Sequence, residues 1–543
     1  MPNLIKKKSL KQLKEERSFF GKKYTRQELK VALVFPNTYY LGMSNLGYLT
    51  IFNLLNQRED TYCERVFLPE GTDYFEHTRT NPPLLSLESQ TSLKNFDLIA
   101  FSIPFEGDYL NLLKILTLAN LPLLSKERSF PLVIAGGITC FSNPEPLSDF
   151  IDLFILGEGE EILPEFIDTY KEIKDKPKET ILKSLSQKQG IYVPSLFNIF
   201  YDQRGKILKV EGKKDNLKRI FAKNINSPYN QSLIITPNTA FKNQYLTEIT
   251  RGCKQGCRFC LTGAIYRPFR FKEKKLIIFQ AKLALQHTDK IGLIGPNICE
   301  HPEIEDLCQE LSALGFKIST SSLESISLSS QLTSFLSQET ITIAPECGSD
   351  QLRFSMNKEI TNQSILAKLK ELKSIAKLKL YFIIGLPQES LDEVREIINF
   401  VEKIKELNLF RKLVLSINPF IPKPNTALQW LDLEDEDTLR LKINLLKTHF
   451  RGKVKLSLES IRLSILQGIL ARGDRKLGRL LTTLLKKEQN IKEAFQQSNL
   501  SYSFYRFRNF EDYEILPWDH LNCGSNKEFL LKEKERYFKK ITS

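Results

Sequence analysis

Residues 245–260 read YLTEITRGCKQGCRFC. The first six alternate and are rich in β-formers, which predicts a strand over 245–250. Cys253, Cys257 and Cys260 follow on a loop that also carries Gly252 and Gly256, residues that let backbone wrap tightly around a bulky group. In barrel-like α/β folds, chemistry collects on the loops at the carboxyl ends of the strands. The chain has nine cysteines in 543 residues, too few for a disulfide scaffold. Clustered, reduced thiols are read first as metal ligands. Zinc structural sites take four protein ligands, often as two separated pairs. Here no second Cys-x2-Cys occurs, and His287 and His301 belong to no spaced ligand motif. A cubane iron–sulfur cluster carries four irons and normally four thiolates. Three thiolates would leave one iron open to chelate the amino and carboxylate groups of a small substrate. A zinc knuckle completed by a distant ligand stays open as the alternative.

Strands and helices alternate after the loop. Helical patterns cover 274–287, 301–315 and 391–407; strand patterns cover 291–295, 316–320, 339–345, 377–387 and 412–420. With 245–250 these make about six βα units, a partial (β/α)6 barrel. KLKLYFIIGLP, 377–387, is the strongest strand pattern, apolar without a break from Leu380, as buried parallel strands are. Two strand ends carry polar or permissive residues. Glu346, Ser349 and Arg353 follow 339–345 and can hydrogen-bond a ribose or clamp a carboxylate; Gly385, in IIGLPQES (383–390) at the end of the fifth strand, permits close approach of a planar ring. Ser322 follows the strand at 316–320. The plainer readings are a capping group for Glu346, a solvent-facing helix residue for Arg353 and a turn for Gly385.

The segment before the barrel has strand patterns at 31–36, 97–105 and 131–137, helices at 45–55 and 109–121, and a strand, Gly-rich turn and helix over 150–170. This predicts an open, doubly wound parallel α/β domain. Gly136, Gly137, Gly157 and Gly159 would line the crevice at its strand ends; as a plainer reading they serve turn geometry.

The spacing of Cys253, Cys257 and Cys260, with Phe259 before the last, closely resembles the radical S-adenosylmethionine (SAM) superfamily. Further stretches resemble one poorly characterised family of B12-binding-domain radical SAM proteins. They are VALVFPNTYYLGMSNLG (31–47), VIAGGITCFSNPEPLSDFID (133–152), EITRGCKQGCRFCLTGAIYRPFR (248–270), TIAPECGSDQLR (342–353), ARGDRKLG (471–478) and LPWDHL (516–521). The resemblance implies an N-terminal cobalamin-binding-type domain, a partial barrel and a small α+β C-terminal region. It also implies a [4Fe-4S] cluster on the three cysteines and SAM as cofactor. In such enzymes a one-electron reductant, flavodoxin or ferredoxin, feeds the cluster, and SAM is cleaved to a 5′-deoxyadenosyl radical. Glu346, Ser349, Arg353, Gly385 and Ser322 then become candidate SAM contacts, and the four crevice glycines candidate corrinoid contacts. The usual Asp-x-His-x-x-Gly ligand motif is missing, and His77 is the only histidine before position 280. Base-off cobalamin without a protein ligand and a domain that binds no corrinoid therefore both stay open.

The domain organisation read from these patterns is a basic extension at 1–30, an α/β domain at 31–171 and a linker with a small β element at 172–230. The barrel spans 231–430 and a basic α+β region spans 431–543. Residues 1–30 and 451–490 each hold ten Lys or Arg against three acids, which accounts for the net charge of +14. Such patches attract RNA or serve as solvated surface. IPKPNTALQW, 421–430, resembles the segment after the barrel of methylthiotransferases. Those enzymes hold a second cluster on three N-terminal cysteines, where this chain has only Cys63 and Cys140. Relatives often continue past LPWDHL with a cysteine-bearing tail, whose function a separate protein would have to supply here. With no apolar run long enough to span a bilayer and a charged N-terminus, the expected location is the cytoplasm. The expected function is radical SAM modification of an unidentified substrate, RNA or a translation-associated protein. The alternatives are cobalamin-assisted methylation of a small molecule or lipid, and a non-catalytic Fe–S protein.

Overall fold

The computed structural model describes residues 2–19, 29–213, 217–320, 329–337, 340–372, 376–486 and 490–542. Two parallel β systems face each other. The N-terminal sheet has six strands in the order Thr61–Phe67, Leu29–Phe35, Leu98–Ser102, Leu132–Gly136, Leu153–Ile155, Ile191–Tyr192. The first five are parallel and the last is antiparallel. Leu29–Phe35 pairs on both sides, with 61–67 and with 98–102, so the winding reverses there. Such a reversal opens a crevice at the carboxyl ends of the strands.

Two features of this domain differ from the sequence reading. Thr61–Phe67 is a strand although its side chains break the apolar pattern: Glu64 and Arg65 are buried. Arg65 is paired with Glu16 at 2.7 Å and Glu88 at 2.6 Å, which ties the N-terminal segment to the sheet. Ile191–Tyr192, expected in the linker, completes the sheet edge, and the hairpin follows as Asn198–Tyr201 and Ile207–Glu211.

Among the described residues the second system has seven parallel strands in two arcs. Tyr245–Glu248, Lys290–Ile294 and Lys317–Thr320 form one; Thr340–Glu346, Lys377–Ile384, Lys412–Pro419 and Lys455–Leu458 form the other. The six expected strands are present. The seventh, Lys455–Leu458, comes from the segment assigned to the C-terminal region and extends the barrel wall. Strand 377–384 does not bury both faces as its apolar run predicted. Leu378, Leu380, Phe382 and Ile384 are fully buried under Val394, Ile397 and Val401 of helix Leu391–Glu406, whereas Lys379, Tyr381 and Ile383 are half-buried on the other face.

Polar ties dock the two systems. Lys423 pairs with Glu106 at 2.6 Å, Asn425 donates to Ser142 O at 3.1 Å, and Asn143 donates to Ala471 O and Gly473 O at 3.0 and 2.9 Å. Arg475 pairs with Glu145 at 2.9 Å; separately, Trp518 donates to Gln429 Oε1 at 3.0 Å and ties the C-terminal region to the segment after the barrel. The motifs around 423, 473 and 518 thus bind segments together. Among the described residues no helix is long and apolar enough to cross a membrane.

Candidate active site

The cysteine loop springs from the carboxyl end of the first barrel strand. Thr250–Arg251 pairs antiparallel with Arg270–Phe271, so the loop is closed at its base. Gly252 adopts φ +78°, and a Cβ there would lie 2.5 Å from Tyr266 O, so only glycine fits. Cys260 caps helix Leu261–Ile265, its sulfur accepting from Gly263 N at 3.4 Å. None of the nine cysteines is in a disulfide, and Cys253, Cys257 and Cys260 are half-buried.

Asn357, Glu300, Ser355 and Glu533 hold this loop, the last two through its own Arg258, and sequence reading identified none of them. Asn357 donates to Gln255 O and Gly256 O, both at 3.2 Å. Glu300 accepts from Lys254 N at 3.2 and 3.1 Å, and its carboxylate stands 3.8 Å from the Cys253 sulfur. Arg258, between the second and third cysteines, is buried; it donates to Ser355 O at 2.6 Å and pairs with Glu533 at 2.9 Å. Lys358 donates to Ala344 O at 2.6 Å and pairs with Glu346 at 2.8 Å. The cysteines are marked by residue type and close spacing; these partners lie too far along the chain to be marked that way.

Burial pushes the Cys257 thiol up to about 12, against the opposing Lys358 ammonium; Cys260, Glu346 and Cys253 add to the rise. Burial likewise raises Cys260. The Cys257 thiol therefore feels the charge of both other thiols. Among the described residues no three His, Cys, Asp or Glu side chains converge on a point where a single ion would sit. A cubane asks for one thiolate on each of three irons. Three half-buried thiols spread over one clasped loop fit that demand, with protons released as iron binds.

The other expected contacts have separate fates. Glu346 ends strand 340–346 at φ +68°, beyond a register shift between Ile343 and Glu346, and faces the cysteines electrostatically. A carboxylate residue in the left-handed region is uncommon and marks a constrained position. Ser349 caps helix Asp350–Ser355, accepting from Leu352 N at 3.1 Å. Arg353 is fully buried, not solvent-facing. It donates to Pro345 O, Asp350, Ile360 O, Cys347 O and Asn362 at 2.6 to 3.0 Å, which uses all five guanidinium N–H groups. The Gly385 N–H donates to Glu389 at 2.6 Å, and a Cβ there would meet Leu439 and Glu434 at 2.8 and 3.0 Å. The structure thus pairs Glu346 with Lys358 and engages Ser349, Arg353 and Gly385 in their own loops. Ser322 lies outside the described residues.

Between the two β systems lies a cavity of about 420 Å³, lined by all four crevice glycines and, from the barrel, by Thr250, Arg251, Gly252, Thr262 and Tyr266. Its floor is apolar, with Leu33, Ala100, Ile134 and Ile155 of the sheet. Gly157, at φ +136°, lies so close to Ile220 that a Cβ would meet the Ile220 carbonyl oxygen at 2.1 Å. That glycine is required by the chain itself. The adjoining carboxylates Glu158 and Glu160 point at the cysteine loop. Arg251 pairs with Glu158 at 2.7 Å and with Glu160 and Glu248 at 2.6 Å; Arg270 pairs with Glu158 at 2.8 Å. These two arginines hold the Glu158 carboxyl below the usual range despite its burial.

A family model for the N-terminal region of radical SAM proteins matches residues 47–194, and the radical SAM superfamily model matches residues 247–401. An uncharacterised protein of Methanocaldococcus jannaschii, MJ0966, is 30% identical over 460 residues, 83% of this chain and 90% of its own length. The ribosomal protein uS12 methylthiotransferase RimO of Leptospira biflexa is 24% identical over 334 residues, 53% of this chain and 72% of that protein. Among solved structures, the cobalamin-dependent SAM radical enzyme OxsB, with aqua-cobalamin and SAM bound, aligns with a TM-score of 0.48 at 15% identity, covering 95% of this chain and 79% of that one. On the two matching models and the full-length relative, this chain belongs to the radical SAM superfamily, an enzyme family whose cofactors are a 4Fe–4S cluster and SAM.

Proposed function

We propose that Cys253, Cys257 and Cys260 hold one 4Fe–4S cluster, and that the protein uses it to modify a component of the translation apparatus, RNA or protein. The observation that carries the first half is the clasped loop: three thiols on one segment, pinned by Asn357, Glu300 and Arg258 at the mouth of a parallel barrel. When bound, the cluster delivers an electron that cleaves SAM and so supplies a radical able to abstract hydrogen from an unactivated carbon. The chain's own residues hold and orient. Glu346 and Lys358 present a matched pair of charges beside the thiols, suited to an amino acid's ammonium and carboxylate. The apolar cavity wall and the docked N-terminal sheet exclude water. The second half is supported by the names of relatives that act on ribosomal protein uS12 and on tRNA, and by the two basic segments. Sulfur insertion is not part of the reading. Cys63 and Cys140, the thiols of the N-terminal half, are single and buried in its core.

A second reading is favoured by the cavity: an apolar chamber between sheet and cysteine loop suits the aromatic base of a base-off corrinoid, and the reaction would then be methylation. Anaerobic reconstitution tests the cluster that both readings share. The wild type should take up about four irons and four sulfides per chain, and with SAM and reductant yield 5′-deoxyadenosine. Cys257→Ala should lose both. A single bound zinc, or reductive cleavage that survives in the variant, would sink the assignment. Corrinoid retained on purification together with S-adenosylhomocysteine among the products would select the second reading. Nucleoside and protein profiling of cells with and without the gene identifies the substrate.

A further inference from the structure

We propose that the solvent face of the cysteine loop, rimmed by Lys254 and Arg267, is the docking surface for an acidic one-electron carrier protein. The inference rests on the cluster assignment above and adds the route by which electrons reach it.

Residues 251–275 carry eight Lys or Arg against one acid, Glu273. The structure sorts six of these cations into two sets; of the other two, Lys272 is buried and Lys274 pairs with Glu310 at 2.9 Å. Arg251, Arg258 and Arg270 are buried and matched by Glu158, Glu160, Glu248 and Glu533. Lys254, Arg267 and Lys275 are exposed, and Lys254 and Gln255 form the outermost turn between Cys253 and Cys257. Arg267 reaches back over that turn: a Cβ added at Gly256 would lie 3.3 Å from its Nη2. The cationic rim therefore stands directly outside the thiols and is not spread over a remote face.

Aromatic rings fill the same patch. Lys254 lies 4.5 Å above the Phe269 ring and Arg267 5.9 Å from the Phe529 ring. Phe271 and Phe529 are 41% and 44% exposed. Apolar edges inside a cationic rim suit a small, transient redox encounter steered by charge. Electron transfer weakens steeply with distance, and the loop backbone offers a short covalent path from solvent to the cysteine sulfurs. One electron leaves the reduced carrier and enters the oxidised cluster; no bond forms or breaks and no proton moves at the interface. Single-stranded nucleic acid also favours cations beside aromatic rings, so it is the competing occupant to test.

The experiment uses the reconstituted full chain and a flavodoxin with an acidic face around its flavin. Binding of the oxidised flavodoxin and stopped-flow reduction of the cluster by its hydroquinone are measured at low and high salt. Photoreduced deazaflavin serves as a small reductant that needs no docking surface. Lys254→Glu should weaken binding and slow flavodoxin-driven reduction about tenfold at low salt, with a flatter salt dependence. Lys254→Ala should do so to a smaller degree, and both should keep wild-type iron content and deazaflavin-driven reduction. Unchanged flavodoxin kinetics in Lys254→Glu would place docking elsewhere and overturn the proposal. An equal loss with deazaflavin would show that Lys254 serves the cluster itself, which also overturns it. So would a wild type that binds a single-stranded RNA oligonucleotide through Lys254 and no flavodoxin. A wild type that takes up no iron would instead remove the cluster reading, and iron analysis alone reports that.

Discussion

Arg353 donates from every N–H of its guanidinium to groups within nine positions of itself, in a site closed to solvent. Its planar fork knots the turn after strand 340–346, which carries Glu346. A lysine offers one compact ammonium in place of that fork. Arg353→Lys should cost about 3–5 kcal/mol in chemical denaturation, with SAM affinity of the remaining folded protein unchanged; a stable variant with weakened SAM binding would return Arg353 to the ligand. Lys272 is an opposite case, a fully buried ammonium whose partners are Gln280 at 2.9 Å and Thr247 at 3.4 Å. Burial lowers it from 10.5 to about 7, with Glu248 opposing the fall. Between those values the unfolded chain binds a proton that the fold does not, so stability rises with pH through that window. Relative to Lys272→Met, the wild type should gain about 1.4 kcal/mol per pH unit above pH 7 and nothing below it. Parallel denaturation curves at pH 6, 7 and 9 measure this, and a constant difference would show that the amine stays charged.

Helix Lys527–Thr542 lies far from the cysteines in sequence and against them in space. Tyr537, Phe538 and Ile541 pack with Cys347, Leu352, Met356 and Leu386, and with Phe259 of the cysteine loop. Tyr537 donates to Pro387 O at 2.9 Å, and Glu533 pairs with Arg258 at 2.9 Å. The helix therefore clamps the loop from outside. Glu533→Gln keeps a hydrogen-bonding group but leaves a buried guanidinium without its counter-charge. Iron loss to a chelator should accelerate about tenfold, as when a metal site loses an outer supporting residue. A chain ended at residue 525 should lose iron faster still. Wild-type retention in both would show that the helix only covers surface. The same limit of local reading applies to strand Lys455–Leu458: four residues with half the side chains exposed have too short a pattern to place them in a barrel wall.

The two β systems act as one body because the turn Gly157–Glu158–Gly159–Glu160 grips Arg251, two residues before Cys253. Any group that fills the cavity beside that turn meets the cysteine loop's own anchor. Glu158→Ala would leave Arg270 and part of Arg251 buried without charge balance, a cost of about 3–5 kcal/mol. Deuterium uptake should rise at 218–222 and 250–253 together, and small-angle scattering should report a larger radius. Exchange that rises at only one of the two sites would mean that the grip does not couple the domains.

Local periodicity decided much of this molecule before any tertiary contact was known. Six barrel strands and four strands of the N-terminal sheet were legible because each is a short run, either apolar or alternating and rich in β-formers. The three cysteines were legible because their chemistry depends on type and spacing within eight positions. What only the fold decided is which charges meet. Glu158 finds Arg251 across 93 residues and Arg258 finds Glu533 across 275. No periodicity records such a pairing, since a charged side chain looks the same in sequence whether solvent or a buried partner neutralises it. Burial separated Arg353, locked inside its loop, from Lys254, exposed beside the cysteines.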